Sequence, residues 1–274
     1  MSDGAAGSVR AGTRLVLLGL VSVGFGLPLL PLRLALLPFG RRGRLLALRG
    51  SLRIQQGWGR AVLAILRVTV TAPTVAPPAG CVIVSNHLGY LDIPLIASLL
   101  PCRFVSKEEV RHWPLMGVLA RLAHVLFLDR GSKVAVAAVG ADIAETLAQG
   151  VTVTFFPEGT STCGAQVQRF HAGLLEPAAA AGIPCVALAL RYETPDDIAP
   201  PACTICWWGD ATFGPHAWNL MKLRRIHAEV RWSQQPLRAA DRKQLAAALH
   251  EQVAAMFVPV RQEPRAAGTA EPVR

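Results

Sequence analysis

The chain has 274 residues, 52% of them hydrophobic and only 17% charged, with a mean hydropathy of +0.37. That length suits one core domain with an appendage, and that balance departs from an ordinary soluble protein toward contact with a bilayer. With 28 Lys and Arg against 18 Asp and Glu, the net charge of +10 draws the chain to a polyanion, either anionic lipid or nucleic acid. The six cysteines lie mostly inside apolar runs, so they read as buried thiols of a reducing compartment rather than a disulfide framework or a zinc site.

From Leu15 to Leu32 no residue is charged. The stretch is barely long enough to cross a bilayer. Pro28, Pro31 and Arg33 argue against one straight spanning helix, because proline removes a backbone donor and kinks the helix. A cleavable signal peptide has a shorter apolar region and a small-residue cleavage site, so this segment is expected to be retained. Behind it Arg42, Arg49, Arg53, Arg60 and Arg67 recur at steps of seven or four and fall on one helical stripe, flanked by Leu45, Leu48, Leu52, Leu63 and Leu66. The favoured reading is an interfacial helix whose arginines reach phosphate headgroups. The other is a solvated charged face packed on the domain, and Gly50, Gly57 and Gly59 weaken a helix here. Residues 1–70 are assigned as an N-terminal membrane-associated helical segment.

After "TAPTVAPPAG" short apolar runs alternate with amphipathic stretches, as in an α/β domain. The predicted strands are Cys81–Ser85, Arg103–Ser106, Val125–Leu128, Val151–Phe155, Cys185–Leu190, Thr204–Trp208 and Ala228–Arg231. The predicted helices are Ile93–Leu100, Leu115–Leu122, Lys133–Gln149, Ala172–Ala181 and Ala239–Phe257. The domain is placed at 71–258, and the polar, proline-bearing tail at 259–274 reads as disordered.

Three polar clusters close predicted strands, "SNHLGYLD", "LDRG" and "FPEGTST". In an open α/β sheet ligands sit at such carboxyl ends. Asp92 stands two residues before Pro94, where its carboxylate suits an N-cap of the next helix. A loose turn through Gly89 also folds that carboxylate onto an imidazole nitrogen of His87. A carboxylate on one ring nitrogen fixes the tautomer and leaves the other to take a proton from a hydroxyl. A purely structural His87 stays open at this point.

These residues resemble the glycerolipid acyltransferases, a family that includes the bacterial 1-acylglycerol-3-phosphate acyltransferases. Asn86, His87 and Asp92 form an NHxxxxD box, and Lys107 with Pro114 and Gly117 resembles the stretch that follows it. Leu128, Asp129 and Arg130 make the second box; Phe156, Pro157, Glu158, Gly159 and Thr160 match FPEGT; Gly182, Ile183 and Pro184 resemble the final proline box. The resemblance runs from about residue 80 to 230, and it is specific because the boxes come in order.

The resemblance implies a single αβα domain with a mixed central sheet behind the N-terminal helices. His87 would be the general base and Asp92 its orienting carboxylate, with no covalent acyl-enzyme. Asn86, Arg130, Phe156, Pro157, Glu158, Gly159 and Thr160 would bind substrate, Arg130 offering paired donors to a phosphate. The bland alternatives are an Arg130–Asp129 surface ion pair and a solvated turn carboxylate at Glu158. No metal and no cofactor are implied beyond the acyl donor, acyl-CoA or acyl carrier protein. The implied acceptor is a lysolipid, first of all 1-acyl-sn-glycerol-3-phosphate, met on an anionic membrane surface at the cytoplasmic face of the inner membrane.

Departures bear on the acceptor. Many members of the family carry arginine after FPEGT, where this chain has Ser161, and His171 stands where Lys or another polar residue is usual. Fewer cations suit a less phosphate-like headgroup. The stretch "WWGDATFGPHAWNLMKL" resembles the subgroup acylating lyso-ornithine lipid, although Trp207, Trp208, Phe213 and Trp218 equally suit a membrane interface or a plain core strand and loop. No nucleic-acid partner is expected, since the arginines cluster beside the apolar segment and no reading module appears. No GxSxG elbow supports a serine nucleophile. A non-enzymatic basic membrane-binding protein would leave His87, Asp92 and Glu158 without a reason.

Overall fold

A computed structural model describes residues 2–113, 116–129, 131–195 and 199–262. The chain opens with α1 (Ser2–Gly26), α2 (Leu29–Leu36) and α3 (Gly40–Leu66), then β1 (Val68–Thr71), β2 (Val82–Ser85), α4 (Asp92–Leu99) and β3 (Cys102–Lys107). It continues through α5 (Met116–Leu122), β4 (Leu126–Leu128), α6 (Lys133–Ala148), β5 (Thr152–Phe155), α7 (Glu176–Ala180) and β6 (Cys185–Glu193). It closes with α8 (Pro201–Thr204), α9 (Phe213–Lys222), β7 (Ile226–Trp232) and α10 (Arg242–Met256).

Among the described residues seven strands form one sheet in the order β1-β7-β6-β2-β5-β3-β4, parallel except for the β6–β7 pair. Alternation along β2 shows why both faces are covered. Ile83 points into a core built with Leu63 and Leu66 of α3, Leu95 and Ile96 of α4 and Leu220 of α9. Val82 and Val84 point into a second core with Ile143 of α6, Ala178 of α7 and Leu249 of α10. A strand buried on both faces reads as an unbroken apolar run, and all of β2 is buried. The fold is the α/β sandwich with a mixed sheet that the sequence implies.

The N-terminal helices differ in part from the expectation. α1 breaks at Gly26, and α2 restarts beyond Leu27 and Pro28, where proline suits a helix start. Leu15, Val16, Leu17, Leu20 and Val23 of α1 and Leu30 and Leu34 of α2 are exposed. So large a bare apolar face marks these helices as the membrane-associated part of the chain. On its other side α1 is latched to the domain. Arg10 Nε donates to Lys222 O at 2.9 Å and Arg14 Nη1 to Met221 O at 3.0 Å, placing cations on carbonyls at the C-terminal end of α9.

α3 corrects the interfacial reading. The five stripe arginines, four in α3 and Arg67 just after it, are exposed, but Leu48, Leu52, Leu63 and Leu66 are buried against the domain rather than left for lipid. Two of the arginines turn back, Arg49 donating to Gln149 O at 3.0 Å and Arg60 to Ser98 O at 3.1 Å. The glycines that weaken α3 on propensity are its contact points. A Cβ on Gly57 would lie 2.7 Å from Phe25, and one on Gly59 would lie 2.6 Å from Pro94 O. β1, which straddles the expected 70/71 boundary, pairs in parallel with β7.

The strand predicted at Thr204–Trp208 is not formed. Pro200 and Pro201 start the short α8 instead, and residues 205–208 run on as an irregular segment. The predicted tail falls mostly on residues 263–274, outside those described.

Candidate active site

The connections of the sheet decide where a crevice opens. After β2 the chain passes through α4 to β3, beyond β5; after β5 it passes through α7 to β6, on the far side of β2. β2 and β5 are neighbours whose exits diverge, and the gap at their carboxyl ends is the switch point of an α/β sheet. His87 follows β2 there and Phe156 follows β5. Their rings stack, with centroids 4.0 Å apart and an interplanar angle of 12°.

Asp92, the first residue of α4, is wholly buried. Its Oδ2 lies 2.7 Å from His87 Nδ1 and accepts the N–H of Leu88 at 2.7 Å and of Gly89 at 3.0 Å. Its Oδ1 accepts the Tyr192 hydroxyl at 2.8 Å. The N-cap expected of Asp92 is therefore corrected: its carboxylate binds the turn before it rather than the helix after it. An ionised carboxylate only accepts, so Nδ1 carries the hydrogen and Nε2 keeps a lone pair. The His87 side chain is 22% exposed, so that lone pair is reachable from the crevice.

Asn86 does not face a ligand. It is buried, its Oδ1 accepts the Leu190 N–H at 2.8 Å and its Nδ2 donates to Leu190 O at 3.1 Å. It ties the end of β2 to β6 and so aims the residue after it.

The FPEGT residues form a turn closed by Gly159 N–H on Phe156 O at 3.1 Å. Gly159 has φ +81°, a region that favours glycine. Pro157 is buried, Thr160 exposed. The Pro157 carbonyl accepts the His171 N–H at 2.9 Å, so the segment ending at His171 doubles back onto the box. Thr162 N–H donates to His87 O at 2.9 Å, and Trp207 N–H to Leu88 O at 2.8 Å. Ser161 Oγ donates to Trp207 O. Three segments, 86–92, 156–162 and 205–208, are thus interlocked around the imidazole. Tyr90 joins Phe213 at 5.1 Å and donates or accepts at His216 Nδ1 across 2.8 Å, while Trp113 lies 5.4 Å from Phe213. Lys107 is exposed at the end of β3. Arg130 and Pro114 lie outside the described residues.

Glu158 is buried rather than a solvated turn carboxylate. Burial pushes its carboxyl up to about 8, against the pull of the N–H groups of Gln168 and His87; Gln168 donates to Oε1 at 3.2 Å. From its ordinary value of 4.5 up to about 8, the folded chain keeps a proton that the unfolded chain has lost. This contribution to stability is full below the lower value and is lost as pH rises through the upper one. Against Glu158→Gln, wild-type stability is expected to fall by up to about 1.4 kcal/mol per pH unit across that window and then level off. Unfolding of both proteins in detergent at pH 5, 6.5 and 8 measures it; a gap that does not change with pH contradicts a protonated Glu158.

An apolar cavity opens where α1, α2 and α3 meet the domain, walled by Phe25, Leu29, Trp58, Ile93, Phe104 and Leu119. Ile93 of its wall is the residue after Asp92 in α4. Tyr192 and the backbone ties at Thr162 and Trp207 were not picked out by sequence. For Tyr192 a signal existed: alternation along β6 puts it on the face of Leu188 and Leu190.

An imidazole held by a buried carboxylate at a sheet switch point is the arrangement of an enzyme's proton-transfer site. The model of the Acyltransferase family matches residues 67–191. The 1-acyl-sn-glycerol-3-phosphate acyltransferase of Neisseria meningitidis is 31% identical over 176 residues, 63% of this chain and 67% of that protein. The lyso-ornithine lipid O-acyltransferase of Pseudomonas aeruginosa is 34% identical over 198 residues, 71% of this chain and 74% of that protein. The crystal structure of the 1-acyl-sn-glycerophosphate acyltransferase PlsC from Thermotoga maritima shares the fold, with a TM-score of 0.58 at 20% identity over 89% of this chain and 95% of that one. The chain belongs to the acyltransferase family and is an O-acyltransferase.

Proposed function

We propose that the protein moves a fatty acyl group from a thioester, acyl-CoA or acyl carrier protein, to the free hydroxyl of 1-acyl-sn-glycerol-3-phosphate, giving phosphatidic acid. The observation that carries this is the 2.7 Å contact of His87 Nδ1 with buried Asp92, which leaves Nε2 facing the crevice as a base. Nε2 takes the hydroxyl proton as the oxygen attacks the thioester carbonyl. The carbon–sulfur bond then breaks, and the imidazolium returns its proton to the departing thiolate. Asp92 stabilises the imidazolium between these steps. The acyl chain lies in the cavity under α1 and α3, whose walls are largely apolar, with Ser22 and Gln55 the polar side chains among them, and offer it dispersion contacts.

Glu158, Phe156, Pro157, Gly159 and Thr160 border the acceptor headgroup, and Arg130, by family resemblance, supplies paired donors to its phosphate. With its carboxyl at about 8, Glu158 holds a proton at neutral pH and donates to a phosphate oxygen, where an ionised carboxylate would repel it. The bare face of α1 and α2 seats the protein on the cytoplasmic face of the inner membrane.

Lyso-ornithine lipid is the second acceptor, favoured by a serine after the FPEGT box, Ser161, whose hydroxyl is bound to the Trp207 carbonyl and adds no cation for a phosphate. The experiment offers the protein in anionic vesicles each lysolipid with each donor and reads the ester formed. Phosphatidic acid as the main product supports the first reading, and ornithine lipid the second. No ester from either acceptor with either donor overturns both.

A further inference from the structure

We infer that Tyr192 is a positioning residue for the His87–Asp92 pair: its phenol fixes the free oxygen of the Asp92 carboxylate so that the other oxygen stays on the imidazole. The inference rests on the acyl-transfer reading for its kinetic part only.

The geometry singles out the hydroxyl. Tyr192 is 1% exposed and sits in the core shared by α3, α4 and β7, among Leu91, Leu95 and Val230. A hydroxyl taken into such surroundings costs free energy unless it is paired, and phenylalanine would fill the same volume without that cost. The partner it finds is Asp92 Oδ1 at 2.8 Å. Burial and the facing Asp92 carboxylate both raise the phenol well above its usual value. It therefore stays a donor throughout the working pH range.

The other three contacts on Asp92 all converge on Oδ2, from His87, Leu88 and Gly89. Three donors on one oxygen leave the second oxygen of a buried anion unserved, and such a group turns until both are satisfied. Tyr192 removes that reason to turn. It reaches the site from β6, the strand to which Asn86 also ties the end of β2. One strand thus braces both ends of the pair, the residue before the imidazole and the carboxylate behind it. Asn86 sets where the turn begins; Tyr192 sets how the carboxylate lies.

The test is Tyr192→Phe, which keeps the ring and removes one atom. In vesicles with lysolipid and thioester, kcat is expected to fall about tenfold, the scale of one hydrogen bond to a charged group, with KM for both substrates unchanged. The second readout needs no activity: the proton NMR signal of the His87 Nδ1–H, assigned by its loss in His87→Gln. Without the phenol the carboxylate is free to turn, its bond to the Nδ1–H weakens, and the signal moves upfield. A signal in the same place as wild type overturns the inference, whatever the rates do. A moved signal with kcat unchanged confines Tyr192 to the ground state and overturns its part in the reaction. A moved signal in a protein whose wild type transfers no acyl group leaves the brace standing and removes the acyl-transfer reading.

Discussion

His87→Ala is expected to lower the rate of ester formation by about 10²–10⁴-fold, the contribution of a positioned general base, while the protein remains folded and membrane-bound. The two halves of that expectation come from different parts of the structure. The side chain is 22% exposed and touches the fold through one carboxylate and the face of Phe156, so its removal opens no sealed cavity. Asp92 keeps the N–H groups of Leu88 and Gly89 and the Tyr192 hydroxyl, so no buried charge is stranded. The lost function is Nε2 alone. Initial rates with saturating donor and acceptor, beside an unfolding curve and recovery in the membrane fraction, check both halves. A folded His87→Ala protein at the wild-type rate would take the imidazole out of the reaction.

Gly59→Val is expected to cost roughly 3 kcal/mol of stability, the upper end for overpacking. A Cβ at residue 59 would stand 2.6 Å from Pro94 O, 2.8 Å from Ser98 N and 3.2 Å from Ser98 Cα. All are backbone atoms of α4, so no rotamer change relieves the clash and the two helices must separate. α4 begins at Asp92, and its displacement pulls the carboxylate away from the imidazole. Activity should therefore fall further than the loss of folded protein explains. Gly12→Ala is the control: its added methyl meets nothing within 4 Å, and alanine favours a helix over glycine by up to about 1 kcal/mol. Unfolding midpoints and rates per folded molecule separate the two variants. A Gly59→Val protein as stable as wild type would mean that the helices do not approach as described.

Much of the domain could be read along the chain because period and length agree there. The runs at 81–85, 151–155 and 185–190 are buried on both faces, 103–106 is partly buried, and each became a strand. The segment 204–208 looked the same by composition, yet Pro201 favours a helix start and Trp207 gives its N–H to Leu88, so no ladder forms. α3 shows the opposite error. Its glycines count against a helix when each is weighed alone, but Gly59 allows the backbone approach that fixes the helix to α4, and Gly57 makes room for Phe25 of α1. Its leucines fit lipid or protein equally by pattern, and only the position of α4 decides between them. At the site, the spacing of His87 and Asp92 carried their pairing, since five residues and a glycine make one turn. The position of Tyr192 carried nothing of the kind, because its partner lies 100 residues away along the chain. Contacts between distant strands follow from sheet order, which local pattern does not record.

The latch of Arg10 and Arg14 on α9 and the seat of α3 on α4 join the greasy helices to the reacting atoms through packed structure rather than a tether. The imidazole therefore rides at a set height above the lipid plane. An alcohol carried at that height meets it; one held deeper among the tails or farther out in the water does not. Selection among lysolipids then begins as a matter of elevation, before any headgroup is recognised.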